Sequence, residues 1–150
     1  MTARAFSPEV KASLLFTHEV LGESKAPWWL YGSAGRALLD VPSIIVRDID
    51  ILLSSEDALR LSQRTGWRND ADGGTDRFRS EHFIRQAPYG IDIEFMAGMQ
   101  VQKHGHWSDF SFQTSRVVDF EGRAFRVPDL SEYLNMLDVS IGRRTQNVSR

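Results

Sequence analysis

The chain has 150 residues, 41% apolar and 25% charged, with a formal net charge of -2 and no cysteine. That size and balance predict a single globular domain over residues 1–150, and the small net charge excludes a broad basic field for nucleic acid. The lack of cysteine excludes disulfides, thiolate nucleophiles and thiolate zinc sites.

Positive charge is nearly all arginine; the only lysines are Lys11, Lys25 and Lys103. The N-terminal MTARAFSPEV has no apolar signal region. No apolar run reaches the ~20 residues that cross a bilayer. A cytoplasmic protein without a membrane partner is expected.

In chain order, Ser7, Pro8 and Glu9 start a helix: a capping hydroxyl, proline at the first helical position and an early acid. It should run to about Gly22 with Val10, Leu14, Val20 and Leu21 inward. Lys25-Ala-Pro is a connector, and Trp28-Trp-Leu-Tyr31 reads as a short buried strand. Gly32-Ser-Ala-Gly35 breaks that strand, and Arg36 to Leu39 forms a helical turn. Asp48-Ile-Asp-Ile-Leu-Leu53 is the strongest strand pattern. Ser54 or Ser55 with Glu56 and Asp57 caps a helix to about Arg64, closed by Gly66.

Asn69 to Asp76 is a loop around Gly73-Gly74. Glu81 to Gln86 and Ile91 to Phe95 are strands on either side of Ala87-Pro-Tyr-Gly90. Gln100 to Ser111 fits no simple pattern. Arg116 to Phe120 and Arg123 to Val127 form a hairpin across Glu121-Gly122. Pro128-Asp129 opens a last helix with Leu130, Tyr133, Leu134 and Leu137 inward, followed by a polar, fraying tail from Arg143 to Arg150. The mixture predicts an α+β (mixed α/β) domain, with a mixed β-sheet flanked by helices.

The chemistry is concentrated in carboxylates. Asp48 and Asp50 stand on one face of an apolar strand, although aspartate is a poor strand former. At ~4 Å and an effective dielectric of ~20, two such charges repel by roughly 4 kcal/mol. A divalent cation offsets that directly, and carboxylate oxygens suit magnesium or manganese. Asp92 and Glu94 share a face in Ile91-Asp-Ile-Glu-Phe95. If the two strands are neighbours, Asp92 is expected to face Asp48 and Asp50, and three acids can hold two metals. Gly32-Ser33 offers backbone N–H groups and a hydroxyl to a phosphate.

Gly32-Ser33, then Asp48-Ile-Asp-Ile51 after residues 34–47, then Ile91-Asp92-Ile93, together resemble the nucleotidyltransferase superfamily of the DNA polymerase β type. The resemblance is to its minimal members and to the aminoglycoside and lincosamide nucleotidyltransferases, over about Pro8 to Phe95. It implies a nucleotidyltransferase-like mixed sheet with flanking helices. It also implies that Gly32 and Ser33 hold a nucleoside triphosphate and that Asp48 and Asp50 bind magnesium. Asp92 would be the third acid and would help activate a hydroxyl acceptor, on a small molecule or a protein. The chain ends soon after Arg143-Arg144, so no helical second domain is expected, and a second copy or helper subunit could take its place.

Two other readings use the same acids. One is a nucleotide- or partner-binding module without turnover. The other is a metal-dependent phosphohydrolase, which needs no Gly-Ser turn. His104 and His106 lack a third ligand at a recognisable spacing and read as surface or partner contacts. Lys103 reads as a solvated side chain. Trp28 and Trp29 point to opposite faces, so at least one belongs to the core.

Overall fold

The structure, a computed structural model, describes residues 6–133. Helix α1 spans Pro8–Val20, and its start is set locally: the Ser7 hydroxyl accepts from the Val10 N–H at 3.2 Å. A 3-10 turn at Leu21–Glu23 extends it, and Val10, Leu14 and Leu21 are buried as expected. Strand β1 is Trp29–Tyr31, and α2 is Gly32–Leu38. The helix therefore begins four residues before Arg36, at Gly32, in the segment read as the break after β1. Tertiary packing overrides glycine's poor helix propensity there.

Strand β2 is Asp48–Leu53 and α3 is Ser55–Thr65. Ser54 caps α3 by accepting from the Asp57 N–H at 3.1 Å, and Gly66 closes it in the left-handed region at φ 79. Then come β3 (Phe78–Arg79), β4 (His82–Gln86) and β5 (Asp92–Ala97). The unassigned stretch is a polar hairpin, β6 (Gln100–Lys103) and β7 (His106–Asp109). The hairpin β8 (Arg116–Phe120) and β9 (Arg123–Val127) turns at Glu121-Gly122 as expected. A helix opens at 130–133. Tyr133 faces inward, but Leu130 is 46% exposed, against expectation. Leu134, Leu137 and the Arg143 to Arg150 tail lie outside the described residues.

The central sheet has the order β1-β2-β5-β4. β1 runs antiparallel to β2, β2 parallel to β5, and β5 antiparallel to β4. One face is apolar across its centre: Leu30, Ile49, Ile51, Ile93, Phe95 and Ile84 are fully buried, with His82 and Gln86 at its β4 edge. Helices α1 and α3 cover it through Leu14, Ala58 and Leu61. Each leucine, isoleucine or phenylalanine among them contributes roughly 1.5–3 kcal/mol of burial. The opposite face is apolar only at one end, where Tyr31 and Trp29 pack on Phe112 with ring centroids 5.4 and 6.1 Å apart. Among the described residues no helix is long and apolar enough to cross a membrane.

Asp57 ties the start of α3 to the connector that feeds β1. Its carboxylate accepts from the N–H groups of Lys25 and Ala26 and from the Arg60 guanidinium, each at 3.0 Å. Burial alone would raise its pKa. The two backbone donors, with Arg60 and Ser54, outweigh burial and bring it down to about 2. A depressed carboxylate pKa contributes stability that is present above the unfolded value and lost as pH falls through the folded one. The wild type should therefore lose on the order of 2 kcal/mol between about pH 4 and pH 2 through this group. Urea midpoints measured across that range should fall more steeply for wild type than for Asp57→Asn; parallel curves would contradict the role.

Candidate active site

The acids occupy the second face of the central sheet. Strand alternation puts Asp48, Asp50 and Leu52 there. The parallel register sets Asp48 beside Asp92, Asp50 beside Glu94 and Leu52 beside Met96. β1 adds Tyr31 opposite Asp50, and β4 adds Arg85 opposite Glu94. The polar end of the face is thus assembled from four strands.

One carboxylate oxygen each from Asp48, Asp50 and Glu94 lies within 4.8 Å of the others, and all three residues are half-buried. At that spacing each charged pair repels by roughly 3–4 kcal/mol at an effective dielectric of ~20. Arg85 offsets part of this, with Nη2 3.6 Å from Glu94. The donors are all hard oxygens, and ligands of one magnesium or calcium ion, at ~2.0–2.6 Å from it, necessarily lie within ~5 Å of each other. The set therefore fits a hard divalent cation.

Asp92 is placed differently. It is exposed, at the open end of the same face, with its carboxylate 4.0 Å from Arg85 Nε. It lies outside the three-carboxylate group, and Glu94 lies inside it. The pattern Asp-x-Glu marks both residues as sharing a face, and the register sets Asp92 beside Asp48 and Glu94 beside Asp50.

Gly32 abuts the cluster. It turns the chain from β1 into α2 at φ +66, and a Cβ there would overlap Asp50 Oδ2 and lie 3.2 Å from Cγ. The glycine is required both by the left-handed backbone and by the carboxylate seated on it. Arg36 Nε donates to the Gly32 carbonyl at 3.4 Å and braces the turn. The Ser33 hydroxyl is buried with no hydrogen-bond partner among the described residues. Gly32, Ser33, Asp48 and Asp50 are therefore brought together.

Tyr133, which sequence reasoning treats only as core, packs behind this turn. Burial pushes its phenol well above the usual range; nearby Arg36 opposes that shift and Asp50 adds to it. Its hydroxyl has no hydrogen-bond partner among the described residues. Lys103, His104 and His106 are exposed at the β6–β7 turn, apart from the acids. Trp29 Nε1 donates to the Thr114 carbonyl at 3.0 Å, and Trp28 packs edge-on to Phe125. Both tryptophans are used in packing.

A mixed sheet backed by helices, with paired acids on its central strand beside a glycine turn, is the nucleotidyltransferase-superfamily fold, and this chain has it. A provisionally assigned nucleotidyltransferase from Thermotoga maritima superposes with a TM-score of 0.80 at 25% identity, over 97% of this chain and 94% of that one. A lincosamide antibiotic adenylyltransferase, solved with lincomycin bound, superposes with a TM-score of 0.55 at 15% identity, over 82% of each chain. No family model and no curated protein matches the sequence.

Proposed function

We propose that this protein transfers a nucleoside monophosphate from a nucleoside triphosphate to a hydroxyl acceptor, in a magnesium- or manganese-dependent reaction in the cytoplasm. The observation that carries the reading is the three-carboxylate group seated against the Gly32 turn. Asp48, Asp50 and Glu94 would hold the metal. When bound, it would neutralise phosphate charge and polarise the phosphoryl oxygens.

The rest is the work of the chain's own groups. The first N–H groups of α2 at Gly32 and the Ser33 hydroxyl bind the triphosphate. The acceptor oxygen attacks the α-phosphorus; that P–O bond forms as the bond to the bridging α–β oxygen breaks, and pyrophosphate leaves. The acceptor proton passes to a carboxylate, and Asp92 at the open end of the face is the candidate. In this reading Asp92 would also contribute to a second metal site.

Calorimetric titration with magnesium and a non-hydrolysable ATP analogue tests the site. Asp50→Asn and Glu94→Gln should each weaken binding at least ~100-fold, the cost of losing a charged ligand from a half-buried set. Asp92→Asn should bind nearly as wild type yet transfer slowly. Equal binding by wild type and Asp50→Asn would sink the proposal. Sustained pyrophosphate release with pooled alcohols separates transfer from nucleotide binding alone.

A further inference from the structure

The sheet face that carries the acids continues into a cavity of about 370 Å³, inside the ~300–1,000 Å³ range of small-molecule sites. Phe83 of β4, Met96 of β5, Met99 and Phe78 line it on one side, and residues 68–74 wall it on the other. That wall is fixed to the outer edge of β4. The Asp70 N–H donates to the Phe83 carbonyl at 2.7 Å, and the Asn69 side chain accepts from the Phe83 N–H and donates to the Glu81 carbonyl, both at 2.9 Å. The lining adjoins the acids: Met96 follows Glu94 on the same face, and Arg85 lines the cavity while pairing with Glu94.

Across the sheet the order is the Gly32 turn with β1, then Asp48 and Asp50 on β2, then Glu94 on β5, then β4 and the cavity. In an in-line displacement the entering and leaving oxygens lie on opposite sides of the phosphorus. With the triphosphate and departing pyrophosphate on the Gly32 flank, the acceptor enters from the β4 flank.

We infer that this cavity is the acceptor site, and that it takes a small alcohol with a flat apolar body and an anionic group, phosphate or carboxylate. Phe78, Met96 and Met99 are buried and give the apolar floor. Arg68, Arg79 and Arg85 outnumber Asp70 and Asp72 in the lining. Arg79 is held in one orientation, stacked on Trp107 at 4.1 Å and donating to Gln100 Oε1 at 2.6 Å. A planar guanidinium fixed in this way matches the oxygens of a phosphate or carboxylate. Arg68 is ion-paired with Asp70 and Arg85 with Glu94, so the positive charge that a cationic acceptor would meet is chiefly that of Arg79. The assignment as acceptor site rests on the transferase reading; the ligand chemistry does not.

The test titrates the whole chain calorimetrically with 1-naphthyl phosphate, 1-naphthoate, the neutral 1-naphthylmethanol and the cationic 1-naphthylmethylamine. Each is run with and without a saturating magnesium complex of a non-hydrolysable ATP analogue. One or both anions should bind at least tenfold tighter than the alcohol or amine, and which anion wins identifies the group. Saturating nucleotide should leave that affinity unchanged within twofold. Arg68→Gln, at a side chain 85% exposed and so tolerated by the fold, should weaken the anion at least threefold. Met99→Trp, which fills the cavity, should abolish binding; if it fails to fold, Arg68→Gln decides alone. Equal affinity for all four probes, displacement by nucleotide or indifference to Arg68→Gln would each overturn the inference. Absent nucleotide binding, with the anion still held and still sensitive to Arg68, would overturn the transferase reading and confirm an anion-binding cavity.

Discussion

Replacing Gly32 by alanine is expected to lower nucleotidyl transfer at least about a hundredfold while leaving the protein folded. Two costs arise at this position. An alanine at φ +66 is strained by roughly 1–2 kcal/mol. Its Cβ would also overlap Asp50 Oδ2, so the carboxylate or the turn must shift. A misplacement of about 1 Å in a reacting constellation can cost ~100-fold in rate. Gly66→Ala separates the two costs. Gly66 has a φ of +79 with nothing within 4 Å of a Cβ, so its variant carries the strain without the clash. Gly66→Ala should lose about 1–2 kcal/mol in urea unfolding and Gly32→Ala at least as much, and only Gly32→Ala should lose magnesium-nucleotide binding and pyrophosphate release. Matching activity in the two would show that the turn does not position Asp50.

The parts of this fold that were legible in the sequence are those whose causes are local. Ser7 and Ser54 cap the helices they precede because a hydroxyl satisfies an N–H three residues on. Asp48 to Leu53 is a strand because its apolar residues alternate against a fully packed face. Glu121-Gly122 turns the last hairpin because both residues adopt positive φ, at 52 and 77. What stayed hidden is non-local. Asp92 and Glu94 share a face by the same alternation, and only the parallel pairing of β2 with β5 sets Glu94 beside Asp50. The β6–β7 hairpin faces mostly solvent and buries only Val101, so periodicity carries little signal there. The cavity wall is a loop whose place is set by Asn69 bonding to β4, across 12 and 14 residues of sequence.

The largest loss of stability is expected from Gly35→Ala, in the helix behind the Gly32 turn. A Cβ at Gly35 would overlap the Tyr133 hydroxyl and lie 2.9 Å from the Leu30 carbonyl oxygen and 3.2 Å from Tyr133 Cζ. Both neighbours are buried: Leu30 is fully enclosed and Tyr133 is 2% exposed. Overpacking a close-packed site costs roughly 1–3 kcal/mol, and a β1 carbonyl cannot move without shifting the sheet. Tyr133→Phe acts in the opposite direction. It removes a buried hydroxyl that has no partner among the described residues, a change expected to be neutral or stabilising by up to about 1 kcal/mol. It also removes the atom that clashes most with the new methyl. The double variant should therefore recover more than half of the loss, with a coupling of about 1–2 kcal/mol between the sites. The recovery should be incomplete, because the contact with the Leu30 carbonyl remains. Urea unfolding of the four proteins measures the cycle, and strict additivity would show that Gly35 and Tyr133 do not meet. The same set reads out function: α2 carries Gly32 at its first residue, so transfer should fall in Gly35→Ala and return with stability in the double variant.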